Sequence, residues 1–101
     1  MGLDIIVTIP KNRLQQVEAE EAEVAKRIKA GERDIVYWWS IPSEPVERVE
    51  RIYFVWNGAV RAWHEIIEIE HLDDVRVYMK PEIHMLKKPM PMRGFRGWQY
   101  F

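Results

Sequence analysis

Two groups of side chains in this sequence have types and spacing suited to chemistry. The first is basic and aromatic. Lys87, Lys88, Arg93 and Arg96 stand close together, with Phe95 between the arginines and Trp98 just after them. Cations that meet phosphate oxygens, alternating with rings that stack on bases, are what single-stranded nucleic acid requires. Trp39 joins this set. Trp38 and Trp39 are neighbours on a strand and must point to opposite faces, so one is core and the other a stacking platform. The second group is a set of pocket candidates: Glu21, Arg33, Arg61, Trp63 and His64. Glu21 interrupts the apolar stripe of a helix, which would put an acid between helix and sheet. Arg61, flanked by Trp56 and Trp63, suits a cation–π contact. Bland readings stand beside these. Gly94 and Gly97 can be turns, Trp98 can be core, and the cations can be solvated. Glu21 can sit at the rim of a loosely covered stripe or pair with an arginine, and Arg61 can simply cover a half-buried aromatic patch.

Other chemistries find little support. The three histidines, His64, His71 and His84, make no His-x-x-x-His pattern and there is no cysteine, so no metal site and no cofactor is expected. His64 and Glu65 are adjacent on a strand and point apart, which argues against a direct dyad between them. Ser40 and Ser43 lack a glycine-flanked elbow, and Gly94 to Gly97 lacks the spacing of a phosphate loop.

The elements that must position these groups centre on residues 48–69. Two β-rich runs flank Asn57-Gly58, the pair suited to a two-residue hairpin whose turn positions need φ > 0. A regular hairpin would pair Trp56 with Ala59, Phe54 with Arg61, Tyr53 with Ala62 and Ile52 with Trp63. One face would then carry Ile52, Phe54, Trp56, Trp63 and Ile67. The other would carry Tyr53, Val55, Val60, Ala62 and Ile66. Both faces are apolar and both need cover, which points to a small closed or nearly closed barrel with a helix packed on it.

Leu3 to Ile9 reads as a central strand ended by Pro10. Residues 11–29 read as the helix, with Leu14, Val17, Val24, Ala25 and Ile28 in one stripe and Ala30-Gly31 as the stop. Asp34 to Ile41 is a second strand and Val75 to Met79 a later one. Pro81 opens a brief helix over residues 82–86, and residues 97–101 can supply a last strand. The expectation is an α/β (α+β) fold, a mixed barrel of five or six strands with one long helix.

At 101 residues the chain is expected to be one domain, 1–101. Its formal charge of −1 creates no global field for nucleic acid or membrane. The local balance differs: from Lys80 onward there are five Lys or Arg against Glu82 alone. No signal peptide and no span of transmembrane length is read, so a cytoplasmic location without a membrane partner is expected.

Residues 83–98, Ile-His-Met-Leu-Lys-Lys-Pro-Met-Pro-Met-Arg-Gly-Phe-Arg-Gly-Trp, resemble the closing segment of ASCH domains, in the PUA-like superfamily. There a leucine precedes a Pro-apolar-Pro pair, and glycines lead into the last barrel strand. The hairpin around Asn57-Gly58 is also similar to that family's central strands. The resemblance implies a PUA-like barrel that binds RNA or a nucleotide in a basic cleft. It covers about half the chain. The family's Gly-x-Lys-x-x-Glu-x-Arg motif is not kept, because Gly31 is followed by Arg33, Val36 and Trp38 at the matching positions. Some members resemble amidohydrolases that use that lysine and a carboxylate. Arg33 cannot serve as a general base and Val36 carries no proton, so catalysis is not expected here. The leading expectation is therefore a nucleic-acid-binding module. The alternatives are a protein–protein module with a Trp/Met surface around Trp39, Met85, Met90 and Met92, and a small nucleoside amidohydrolase or nuclease.

Overall fold

The computed structural model describes residues 3–101. The elements run β1 (Leu3–Thr8), α1 (Lys11–Lys29), β2 (Trp38–Ile41), β3 (Val49–Trp56), β4 (Ala59–His71), β5 (Val75–Met79), β6 (His84–Pro91) and β7 (Trp98–Tyr100). The strands form one mixed sheet in the order β2-β5-β4-β3-β1-β7, with β6 paired to β4 beside it. β1 runs parallel to β3, and every other pairing is antiparallel. The sheet curls into a half-barrel and α1 packs across its concave side. Its outer strands do not pair with each other. Instead the loop after β2 reaches β7: the Trp98 indole donates to the Ser43 carbonyl at 3.0 Å, and the Val46 amide donates to the Tyr100 hydroxyl at 3.0 Å. Among the described residues, no helix is long and apolar enough to cross a membrane.

α1 occupies the span that its apolar spacing predicts. Pro10 precedes it with extended backbone (ψ 147°), and Gly31 follows Ala30 at φ +81°, where a side chain would be strained. Val17 and Val24 are buried, with Leu14 half-buried against the same core. The main core lies between α1 and the sheet and includes Ile5, Val7, Ile52, Phe54, Val77 and Met79. Burying an aliphatic or phenyl side chain contributes about 1.5–3 kcal/mol, so this cluster dominates the packing energy. A smaller cluster of Ile6, Val55 and Val60 lies on the opposite face, covered by Leu86, Met92 and Phe95.

Three expectations need correction. Residues 82–86 are not a helix: His84 and Met85 pair with Trp63 and Ala62, and this β6 makes seven strands rather than five or six. An open ladder position on β4 outweighs the weak local preference of a five-residue segment. β2 begins at Trp38 rather than Asp34, because Asp34 adopts φ +60°, which ends any extended run.

The third correction concerns register. The Asn57-Gly58 turn forms, with φ +49° and +73°. Trp56 pairs with Ala59 and Val55 with Val60, but Phe54 then pairs with Ala62, leaving Arg61 as an extra residue in β4. The Arg61 guanidinium folds back onto the turn and donates to the Trp56 and Asn57 carbonyls at 2.7 and 2.9 Å. From this bulge as far as Ile66 the side chains of β4 change face. Ala62, His64 and Ile66 join Phe54 on the concave face. Trp63 moves to the convex face beside Tyr53. A second irregularity, between Ile66 and Glu68, turns Ile67 out to solvent.

Candidate functional site

On α1, positions 14, 17, 21, 24 and 28 fall on one face, so the helical period that buries Val17 and Val24 also turns Glu21 toward the sheet. The bulge at Arg61 turns His64 toward the helix from the other side, and His64 is fully buried. Glu21 Oε2 lies 2.8 Å from His64 Nε2 and accepts a hydrogen bond from the Tyr37 hydroxyl at 2.9 Å. The other ring nitrogen, Nδ1, stands 2.8 Å from the Lys80 carbonyl oxygen. A carbonyl can only accept, so Nδ1 carries a proton. One further proton lies between Nε2 and Oε2. The pair is then imidazolium with carboxylate, or neutral imidazole with carboxylic acid, and its net charge is zero in both arrangements. Edge-on contacts from Tyr37 and Phe54, with centroids at 5.4 and 5.9 Å, fix the imidazole plane. Burial pushes the Tyr37 phenol far above its usual pKa, and the negative charge on Glu21 adds to the effect.

This polar cluster borders a cavity of about 310 Å³ between α1 and the concave face. Tyr37, Trp39, Phe54 and Trp56 supply aromatic wall, while Leu14, Met79, Ile83 and Met85 supply aliphatic wall. Glu18 and Glu21 are the charged residues in the lining. Arg13 lies outside it, its guanidinium 5.1 Å from the Trp39 ring. Glu21 Oε1 is buried and has no hydrogen-bond partner. An unpaired buried oxygen costs about 1–3 kcal/mol. The arrangement can hold a flat ring by contact with its aromatic and aliphatic walls. It can also keep a proton within the Glu21–His64 pair. Among the described residues, no group of three His, Asp or Glu is placed to hold a metal ion.

Of the five pocket candidates, the structure joins Glu21 and His64 and separates the rest. Arg33 is exposed in the segment after α1, and Arg61 ties down the hairpin turn. Trp63 stands on the convex face. Its ring is stacked on His84 (4.0 Å, 15°) and covered by the Arg51 guanidinium at 4.1 Å. The basic set is distributed differently. Lys87, Lys88, Arg93 and Arg96 are all exposed, and none forms an ion pair among the described residues. Lys87 and Lys88 lie in an excursion of β6, residues 86–89, that opposes Arg61 alone. Trp98 is half-buried against the core with its N–H bound to Ser43. Trp39 faces the cavity, so the exposed ring of that pair is Trp38, at 43% exposure.

Tyr37 is the functional candidate that sequence reading passes over. Its spacing of two from Trp39 puts both on one side of an extended chain, which is the available signal. The Lys80 carbonyl has no sequence signal, since main-chain groups are the same at every position.

Residues 7–101 match the profile of a family described as "Protein of unknown function (DUF1489)". Neither the curated proteins nor the solved structures contain a match to this chain.

Proposed function

We propose that this chain, which belongs to the DUF1489 family, is a binding module for a nucleobase-bearing ligand, a nucleotide or an unpaired base of RNA. The base enters the cavity under α1. The observation that carries the reading is a cavity of about 310 Å³ with four aromatic residues in its wall. A volume near 300 Å³ is at the small end for ligand pockets, which suits a single ring system and little more. The lining contains no basic residue, so phosphates stay outside. Met85 of β6 reaches the cavity wall, and the exposed Lys87 and Lys88 follow two and three residues later. They are the nearest candidates in sequence for phosphate contact. A likeness to ASCH domains and a cytoplasmic location belong to the same proposal.

Trp39→Leu tests it. Stacking on an aromatic ring is worth about 1–3 kcal/mol per base, so the variant should bind nucleosides and short oligonucleotides roughly 5- to 150-fold more weakly, with its fold intact. Failure of wild type to bind nucleosides, nucleotides or single-stranded RNA at low salt would overturn the reading.

One observation favours a second reading. Met85, at the cavity wall, is 60% exposed, and Met90 further along β6 is 44% exposed. Flexible, exposed thioethers beside an aromatic pocket also suit a protein partner that inserts an apolar side chain. A photo-crosslinking residue at position 85 separates the two, by capture of RNA or of a protein.

A further inference from the structure

Building on the base-binding reading, we propose that the cavity prefers a flat ring carrying a positive charge, such as a base methylated on a ring nitrogen, over its uncharged isomer. Tyr37, Trp39, Phe54 and Trp56 stand in the cavity wall. The face of an aromatic ring is negative and attracts a cation, most strongly where water is excluded. Among the described residues, the lining contains two carboxylates and no Lys or Arg. Glu21 shares a proton with His64, so that pair contributes no net charge. Glu18 is exposed, and among the described residues its carboxylate forms neither a hydrogen bond nor an ion pair. Glu18 is therefore the uncompensated charge of the lining.

One cation approaches this wall from outside. The Arg13 guanidinium lies over the Trp39 ring at 5.1 Å, so the ring already attracts a positive charge. Residues four apart share a flank of a helix, and Leu14, Glu18 and Ala22 give the cavity one flank of α1. Arg13 belongs to the other flank, where it borders a separate groove with Glu20, Glu23 and Arg27. Arg27 is paired with Glu32, which leaves Glu20 and Glu23 to offset Arg13. Glu18 thus favours a cation in the cavity and Arg13 opposes it, and the two tune the preference in opposite directions.

Isomeric nucleosides test this on the full chain by calorimetry at neutral pH: 1-methyladenosine against N6-methyladenosine, and 3-methylcytidine against 5-methylcytidine. In each pair the first isomer carries its methyl group on a ring nitrogen and is cationic, while the second is neutral. The cationic isomer should bind about 5- to 30-fold more tightly, the range for a cation–π contact in a partly desolvated site. Ratios within about twofold, or in favour of the neutral isomer, overturn the inference while leaving base binding standing. Binding of no nucleoside overturns both. Choline carries the charge without the ring, and binding as tight as that of 1-methyladenosine would overturn the inference in favour of a quaternary ammonium ligand. Glu18→Gln and Arg13→Gln change charge at exposed helix positions and should leave the fold intact. The ratio should fall by at least about twofold in Glu18→Gln and rise in Arg13→Gln. Changes of the same sign in both variants, or no change in Glu18→Gln, overturn the inference.

Discussion

The two faces of the β3–β4 hairpin carry the same kinds of residue and use them oppositely. On the convex face the rings satisfy one another. Trp63 lies on a strand between β3 and β6, so Arg51 covers it from one side and His84 from the other. Tyr53 in turn packs at 4.7 Å on Phe101. On the concave face, Phe54 and Trp56 face a helix too sparse in apolar residues to fill the space, and a cavity remains. The polar groups differ in the same sense. The convex histidine stacks and stays exposed, while the concave one is fully buried and held at both nitrogens. Aromatic richness alone therefore does not mark a binding surface. What matters is whether neighbours have already used the ring faces.

The strongest test of this contrast exchanges the two central residues, as Trp63→His with His64→Trp. The exchange removes the buried partner of Glu21 and forces an indole into a site with no room for it. It should cost more than about 5 kcal/mol and leave no cooperative thermal transition, since each of two large penalties acts in one core. A near-native melting curve would mean that the bulge at Arg61 does not fix the faces.

Single truncations sharpen the same point. His64→Ala leaves Glu21 buried without its partner and should cost about 3–5 kcal/mol in urea unfolding. Trp63→Ala removes only mutual contacts at a half-exposed site and should cost about 1–2 kcal/mol. Equal costs would erase the distinction between the faces.

Alkaline pH probes the concave face alone. The Tyr37 phenol is raised above its ordinary pKa of 10.0 by burial, and next by the charge of Glu21. The folded state thus keeps a proton that the unfolded chain releases near pH 10. The associated stability is complete below pH 10 and declines as pH rises beyond it. Melting temperatures recorded from pH 9 to 12 should fall less steeply for Tyr37→Phe than for wild type, once the ionisation of other groups common to both is cancelled. At neutral pH the same variant should lose about 1–2 kcal/mol, for one hydrogen bond.

The smallest effect on stability is expected for Lys87→Ala with Lys88→Ala, both exposed and, among the described residues, without ion pairs. The melting temperature should not change. RNA affinity should fall, and its log–log dependence on salt should flatten by about 0.7 for each phosphate no longer neutralised. An unchanged slope would show that these lysines do not meet the phosphates.

Much of this fold is legible in local pattern. The helical stripe marks the span of α1 and shows Glu21 on its inward side. Asn57-Gly58 marks the turn, because few residue pairs accept two consecutive left-handed positions. The β6 segment escapes local reading because its pairing partners on β4, from Trp63 opposite His84 to Ala59 opposite Pro91, are distant in sequence, and local preference over five residues is weak.

For the site, the sequence by itself determined the inventory: a carboxylate on an apolar helical face, a histidine in a β-rich run, and more aromatic rings than the core needed. Tertiary structure decided which of these meet. A single unpaired residue, Arg61, inverts the period-two alternation of β4. No local pattern announces it, since the bulge is held by a side chain that folds back on main-chain carbonyls. That inversion carries His64 inward to Glu21 and Trp63 outward to Arg51. Side-chain direction along a strand is set by register, and register depends on the partner strand as much as on the strand's own residues.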